Sequence, residues 1–254
     1  MCGWWAESAM MTSGGRCSAD CSQEGIDVRD VAVDGSNVTG VAMIMVDAAG
    51  QNCIAAVYGA NMACDDEQLD AAKRAMESAD ALMLQLRRRR TVSIAAASTC
   101  SQSWGARSVG PGTVRSDAKT GYAVADVITP NETEAAELTG IRVVDVDSAR
   151  AAADALLAMG VGTAVVKMGQ HGVFAATASE RYYVPPFGVD AVDSVAAGDA
   201  FGAGLTVALS EARGLEDALR FASAAGALAV TKPGAQDAMP FRQEADALLH
   251  ATNA

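Results

Sequence analysis

The 254-residue chain has no excess of positive charge, no apolar run of membrane length and no Cys-x-x-Cys pair. Each absence excludes something. Nineteen Lys and Arg against 31 Asp and Glu give a formal net charge of −12, which argues against a nucleic acid or an anionic membrane surface as partner. Without a stretch of about 20 apolar residues, no membrane-spanning helix is expected. The N-terminus lacks a basic segment followed by an apolar one, so the default location is the cytoplasm. Cys2, Cys17, Cys21, Cys53, Cys64 and Cys100 have no cluster of histidines near them. They read as reduced thiols rather than a metal site or a disulfide frame. Half of the residues are hydrophobic, enough for one α/β domain with a sizeable core.

What is present is concentrated in Asp193-Ser194-Val195-Ala196-Ala197-Gly198-Asp199-Ala200-Phe201-Gly202-Ala203-Gly204-Leu205. β-like runs lie upstream, Tyr182-Tyr183-Val184 and then Val189 to Val192, and Phe201, Leu205 and Leu209 recur downstream at helical spacing. The small residues therefore sit in a strand-to-helix turn, with Asp199 in the first turn of the helix. Such a turn offers an anion unpaired N–H groups and the positive end of a helix dipole. Ala196, Ala197 and Gly198 let a phosphate approach the backbone closely. A carboxylate beside that hole can accept the proton of an attacking hydroxyl, as a small-molecule kinase requires. On spacing alone, an ordinary Gly/Ala-rich turn with Asp199 as a helix-start acid accounts for the same residues.

The rest of the chain alternates strand and helix patterns. Val41 to Val46 and Cys53 to Tyr58 are two β-like runs joined at Ala48-Ala49-Gly50-Gln51, a hairpin with Gly at a turn position. Asp65 caps a helix with Leu69, Ala72, Met76 and Ala79 on one face, and residues 81–86 read as a short buried strand. Arg87-Arg88-Arg89-Arg90 breaks the pattern; such a run is usually a solvated face. Val124 to Ile128 is a strand leading to Asn131 and Glu134, whose spacing fits an Asn N-cap with Glu at N3, a capping box. A helix over 149–159 and a strand over 163–168 end in the glycine turn Gly169-Gln170-His171-Gly172, with His171 an exposed loop residue. After the signature helix, Ala224-Ala225-Gly226-Ala227 marks a second helix able to pack closely, residues 229–238 a loop, and residues 240–249 a terminal helix. This alternation predicts a doubly wound, mostly parallel α/β sheet with a small β-hairpin lid.

The signature at 193–205 resembles that of the ribokinase (pfkB) family of sugar and nucleoside kinases, whose catalytic base is the Asp after the Ala-Gly pair. Further landmarks follow in the family's order: Glu24 to Asp27, Thr39 to Ala42, Gly59 to Asn61, Thr129 to Glu134 and Gly234 to Gln236. The resemblance covers roughly residues 23–86 and 124–249. It implies ATP-dependent phosphorylation of D-ribose at its 5-hydroxyl, or of another sugar or nucleoside. Asp199 would be the base at the substrate hydroxyl, and Ala196, Ala197 and Gly198 the anion hole. Asn131, Lys167, Gly169, Gly172 and Gly198 would contact the nucleotide, and Asn131 and Glu134 would organise Mg²⁺. Asp193, Val195, Ala229, Lys232, Gly234 and Ala238 would surround K⁺. Residues 39–60 would be a lid over the sugar, and the hairpin would also pair two subunits in a homodimer.

The departures from the family are equally specific. Family members usually carry Thr or another small residue where Lys167 stands, and tend to have Arg and Ser at Lys232 and Ala238. Residues 1–22 form an out-of-pattern leader, with Trp4-Trp5 and Met10-Met11 placed without periodicity. One allowed coding of Met1 to Gly14, read two bases later, gives Val-Arg-Val-Val-Gly-Gly-Val-Gly-Asp-Asp-Asp-Phe-Gly, which resembles the family segment due before Glu24. Residues 87–121 are out of pattern too: a coding of Gly105 to Thr113 shifted by one base gives Val-His-Ala-Val-Leu-Asp-Pro-Ala-Pro, again family-like. A family chain also begins with a strand bearing an Asn/Asp sugar-binding pair and a Gly-Gly-Lys-Gly-Ala-Asn segment, neither present here. The competing expectation is therefore a truncated, frameshifted product that is catalytically incompetent.

Overall fold

The computed structural model describes residues 7–9, 12–46, 52–85, 93–96, 98, 107–110 and 125–252. The chain divides into two compact units, residues 1–104 and 105–254.

In the first unit, β1 (Glu7–Ala9) pairs in parallel with β2 (Ala32–Asp34), and helix α1 spans Thr12–Gln23. The sequence pattern predicts neither element within residues 1–22. The physical reason is visible in α1, whose described side chains from Gly15 to Gln23 are exposed or half-buried. A helix that buries no stripe leaves no periodic trace. The hairpin is β3 (Val41–Val46) against β4 (Asn52–Val57), antiparallel, with Ile44 opposite Ile54; its turn, Ala48 to Gln51, lies outside the described residues. Two of the landmark glycines meet beneath it. Ala60 N–H donates to the Val38 carbonyl at 2.8 Å. A Cβ on Gly40 would stand 2.9 Å from the Tyr58 carbonyl oxygen, and one on Gly59 would fall on the Val38 carbonyl oxygen. The two chain segments can cross this closely only without side chains. Asp65 caps α2 (Asp66–Met76) as expected, its carboxylate accepting from the Glu67 and Gln68 amides. The short strand β5 is Leu82–Gln85.

The second unit is built on strands β6 (Arg107–Gly110), β7 (Val127–Ile128), β8 (Thr163–Lys167), β9 (Val173–Ala176) and β10 (Arg181–Val184), in the order β10-β9-β8-β7-β6. The β6–β7 and β7–β8 pairings are parallel; β8–β9 and β9–β10 are antiparallel. The sheet is therefore mixed. β6 falls within the stretch 87–121 that reads as out of pattern; Arg87 to Arg90 lie outside the described residues. The helices described in this unit are α3 (Glu132–Thr139), α4 (Val146–Ala158), α5 (Ala197–Ser210), α6 (Leu215–Ala229) and α7 (Arg242–Thr252).

Both faces of the central strands are covered, which is why β8 and β9 read as apolar runs rather than alternations. On one face Val165, Val173, Ala175 and Val184 pack with Phe201, Leu205, Leu219, Ala222 and Ala245 from α5, α6 and α7. The alternate residues Ala164, Val166, Phe174 and Ala176 are equally buried, and α4 supplies Ala149, Ala152, Ala153 and Leu156. The small residues of α5 and α6 do what their size predicts. A Cβ on Gly204 would lie 3.1 Å from Ala222 Cα, so the two axes are as close as side chains permit. One reading fails: Val189 to Val192 form no strand. Val192 N–H donates to the Val230 carbonyl at 2.7 Å, so this run docks as a loop on the end of α6. No helix among the described residues is long and apolar enough to cross a membrane.

Leu205 is fully buried, whereas Val207 on the same helix is 39% exposed. Leu205→Ala should cost about 2–5 kcal/mol through the cavity it leaves, and Val207→Ala under about 1 kcal/mol. Urea denaturation of the two variants checks the contrast.

Candidate functional site

The start of α5 is an unusual helix N-terminus. Its N-cap, Ala196, has φ 62° and supplies no capping side chain. Left-handed backbone at a residue with a Cβ costs about 1–2 kcal/mol, so the surroundings must hold it there. Asp193 does much of this. Its Oδ1 accepts from Val195 N–H at 3.0 Å and its Oδ2 from Gly234 N–H at 3.1 Å. Asp193 N–H also donates to the Val230 carbonyl at 3.1 Å. The turn before α5 is thereby stitched to the 229–238 loop. Accepting two amide protons holds the Asp193 carboxyl below its ordinary value, the Val195 bond contributing most.

Ala197 N–H makes a long bond, 3.4 Å, to the Ser194 carbonyl, and Asp199 N–H donates to Ala196. The Gly198 N–H has no partner among the described residues. Of the three anion-hole amides, Ala197's is thus the one that is spent, and those of Ala196 and Gly198 have no acceptor among the described residues. Asp199 follows it, exposed, in the first turn.

Two other segments end near this turn. The capping box after β7 is formed in full: Glu134 N–H donates to Asn131 Oδ1 and Asn131 N–H to Glu134 Oε2, both at 2.9 Å. Glu134 is buried, so its carboxylate is fixed rather than swinging in solvent. Lys167 ends β8; its N–H donates to the Pro130 carbonyl at 2.8 Å, which sets Asn131 and Lys167 side by side. Its side chain reaches the start of α5, where a Cβ on Gly198 would meet Nζ at 3.2 Å. The ammonium also lies 5.9 Å from the centre of the Phe201 ring. Burial pushes Lys167 below the ordinary lysine value, opposed by the charges of Glu134, Asp199 and Glu132 in that order.

The glycine turn after β8 has a structural reason at each end. Gly169 (φ 50°) has open space around it, with Glu132 Oε1 at 3.6 Å from a built Cβ. Gly172 (φ 82°) is buried, and a Cβ there would fall on the Val184 carbonyl oxygen. His171 is exposed, its carbonyl accepting from the Tyr183 hydroxyl at 3.2 Å. Of the remaining residues assigned to a cation, Gly234 is held to Asp193, Ala229 ends α6, and Ala238 is buried in a short 3₁₀ turn. Lys232 turns away, its Nζ 3.2 Å from Glu244 Oε1. Sequence reasoning passed over Glu132 and Phe201. Glu132's adjacency to Asn131 was the available signal, and Phe201 reads only as a core residue.

A helix turn open to an anion, with a carboxylate and an ammonium beside it, is the equipment of a group-transfer site for phosphate. The chain belongs to the pfkB family of carbohydrate kinases, which it matches over residues 12–242. The match begins at Thr12, within the stretch that reads as a leader. It is 35% identical over 226 residues to the ribokinase of Haemophilus influenzae, covering 88% of this chain and 73% of that protein. Among solved structures, the ribokinase of Thermotoga maritima superposes with a TM-score of 0.85 at 30% identity, over 98% of this chain and 81% of that one. Arabidopsis thaliana ribokinase, solved with ribose and ATP, gives a TM-score of 0.86 at 26% identity, over 97% and 81%.

Two outcomes follow from the geometry. Gly172→Ala should destabilise the protein by about 1–3 kcal/mol, from positive φ and the carbonyl clash, and more than Gly169→Ala does; thermal melts compare them. Asp193 has a depressed folded-state pKa, so its stabilisation is present above the unfolded value, about 3.9, and is lost as pH falls through the folded one. The stability gap between wild type and Asp193→Ala should therefore be constant between pH 5 and 8 and shrink below about pH 4.

Proposed function

We propose that this protein transfers the terminal phosphoryl group of ATP to the 5-hydroxyl of D-ribose, giving ribose 5-phosphate and ADP. The observation that carries this reading is the first turn of α5: Asp199 stands next to the unpaired Gly198 amide, in a chain of the pfkB family whose relatives include ribokinases. Asp199 takes the proton of the 5-hydroxyl. The oxygen–phosphorus bond forms as the bond from phosphorus to the bridging oxygen breaks, and ADP leaves with that electron pair. The Ala196–Gly198 turn and the dipole of α5 offset the charge on the transferred group. Positioning and electrostatics are what this reaction needs from a protein.

Mg²⁺ fits the chemistry of Asn131 and Glu134, two oxygen-bearing side chains fixed by their mutual hydrogen bonds. When bound there it would neutralise phosphate charge. For K⁺ the supporting feature is the stitch between Asp193 and the 229–238 loop, with the Asp193 carboxylate and backbone carbonyls as oxygen donors; the cation would stiffen the turn that presents Gly198. Gly169 and Gly172 keep the loop beside the nucleotide free of side chains. In this reading the reaction runs in the cytoplasm, where ATP is supplied, and two copies pair through the hairpin. The support for pairing is the exposed Val41, Met43, Met45 and Val57, which a partner hairpin would cover.

The test is ribose-dependent release of ADP by the purified chain, with 2-deoxyribose and adenosine as alternative acceptors. Asp199→Asn should lower kcat about 10²–10⁴-fold and leave ATP affinity nearly unchanged. Turnover near wild type in that variant would remove Asp199 from its role, and no acceptor-dependent ADP release would overturn the reading. Rates should be higher in KCl than in NaCl of equal ionic strength; equal rates would dispose of the K⁺ site.

A further inference from the structure

We infer that Lys167 is a catalytic residue of this protein, one whose ammonium grips the phosphoryl group of the nucleotide that is transferred. The inference rests on the kinase reading of the site and says which side chain completes it. Its base is rigid: Lys167 closes β8, with its backbone tied to Pro130 and paired with Val173. Its tip is directed. Nζ stands in the notch that Gly198 leaves open at the N-terminus of α5, beside Asp199.

The tip is also unsatisfied. The Lys167 ammonium makes no hydrogen bond or ion pair with any described residue; the Phe201 ring lies 5.9 Å from it. Glu134, Asp199 and Glu132 act on it only through space. Lys167 is half-buried, so its ammonium has lost part of its water without gaining an acceptor, and it faces the positive end of a helix, which repels it. A phosphate oxygen between the two removes both penalties, accepting from the ammonium and from the Gly198 N–H together. A lysine whose task was to pin a carboxylate would instead be in contact with one. During transfer Lys167 keeps its protons: the hydroxyl proton goes to Asp199 and the electron pair leaves with ADP, while the ammonium offsets charge on the phosphoryl oxygens.

The experiment is calorimetric binding to the 254-residue chain of a non-hydrolysable ATP analogue and of adenosine, with Mg²⁺ present. Lys167→Met should bind the analogue about 10- to 100-fold more weakly, the worth of a charged hydrogen bond, and adenosine as wild type does. Lys167→Arg should recover part of the loss. Gly198→Ala, which crowds Nζ, should repeat the selective loss without touching the lysine, and serves if the Met variant melts early. Unchanged analogue binding in Lys167→Met, or equal losses for analogue and adenosine, overturns the inference. A wild-type chain that binds neither ligand fails the kinase reading itself, which is a different result.

Discussion

The position at which helix α5 begins is the constraint on which the site depends. A left-handed Ala196 is unfavourable by itself, yet the helix that starts from it leaves the Gly198 amide without an acceptor among the described residues and places Asp199 after it. What fixes that geometry is bonding and packing from behind. Asp193 spends both carboxylate oxygens on backbone amides, one in the turn and one in the 229–238 loop. Helix α6 then holds α5 from the side. A Cβ on Gly226 would come 3.3 Å from the Ala197 carbonyl oxygen, so α6 presses against the first residue of α5. The many alanines and glycines of these two helices are thus the means by which a strained turn is kept in register. Local strain of this kind persists only where the surroundings over-determine it.

Charge is arranged with the same economy around that turn. Glu134 is immobilised by its own helix cap, and Lys167 is carried in on the last residue of a buried strand. Both ionic groups therefore stand on rigid elements, which is what electrostatic stabilisation of a transferred phosphoryl requires. The surface ion pairs elsewhere, such as Arg181 with Asp154, sit in solvent and contribute little.

The sequence made the turn legible because small residues, an acid and a following helical period are all local signals. The capping box at Asn131 and Glu134 was legible for the same reason. Three features were not. Val189 to Val192 look like a strand, since apolar β-branched residues serve equally to dock a loop on Val230. Helix α1 has no buried stripe among its described side chains and so left no periodicity to read. The direction of Lys167 is the third: a long flexible side chain at a strand end points wherever tertiary space allows, and that space was made by Gly198, 31 residues away in sequence. Gly40 and Gly59 belong with these, legible as glycines but not as partners in one crossing.

The central claim is that the start of α5 and Lys167 together form the seat of the transferred phosphate. A crystal structure of the chain with Mg²⁺ and a non-hydrolysable ATP analogue tests it most directly. The account predicts the terminal phosphate within hydrogen-bonding distance of both the Gly198 N–H and Lys167 Nζ, with Asp199 facing it. A terminal phosphate bound elsewhere, with Lys167 paired to Glu134 or Asp199, would contradict it.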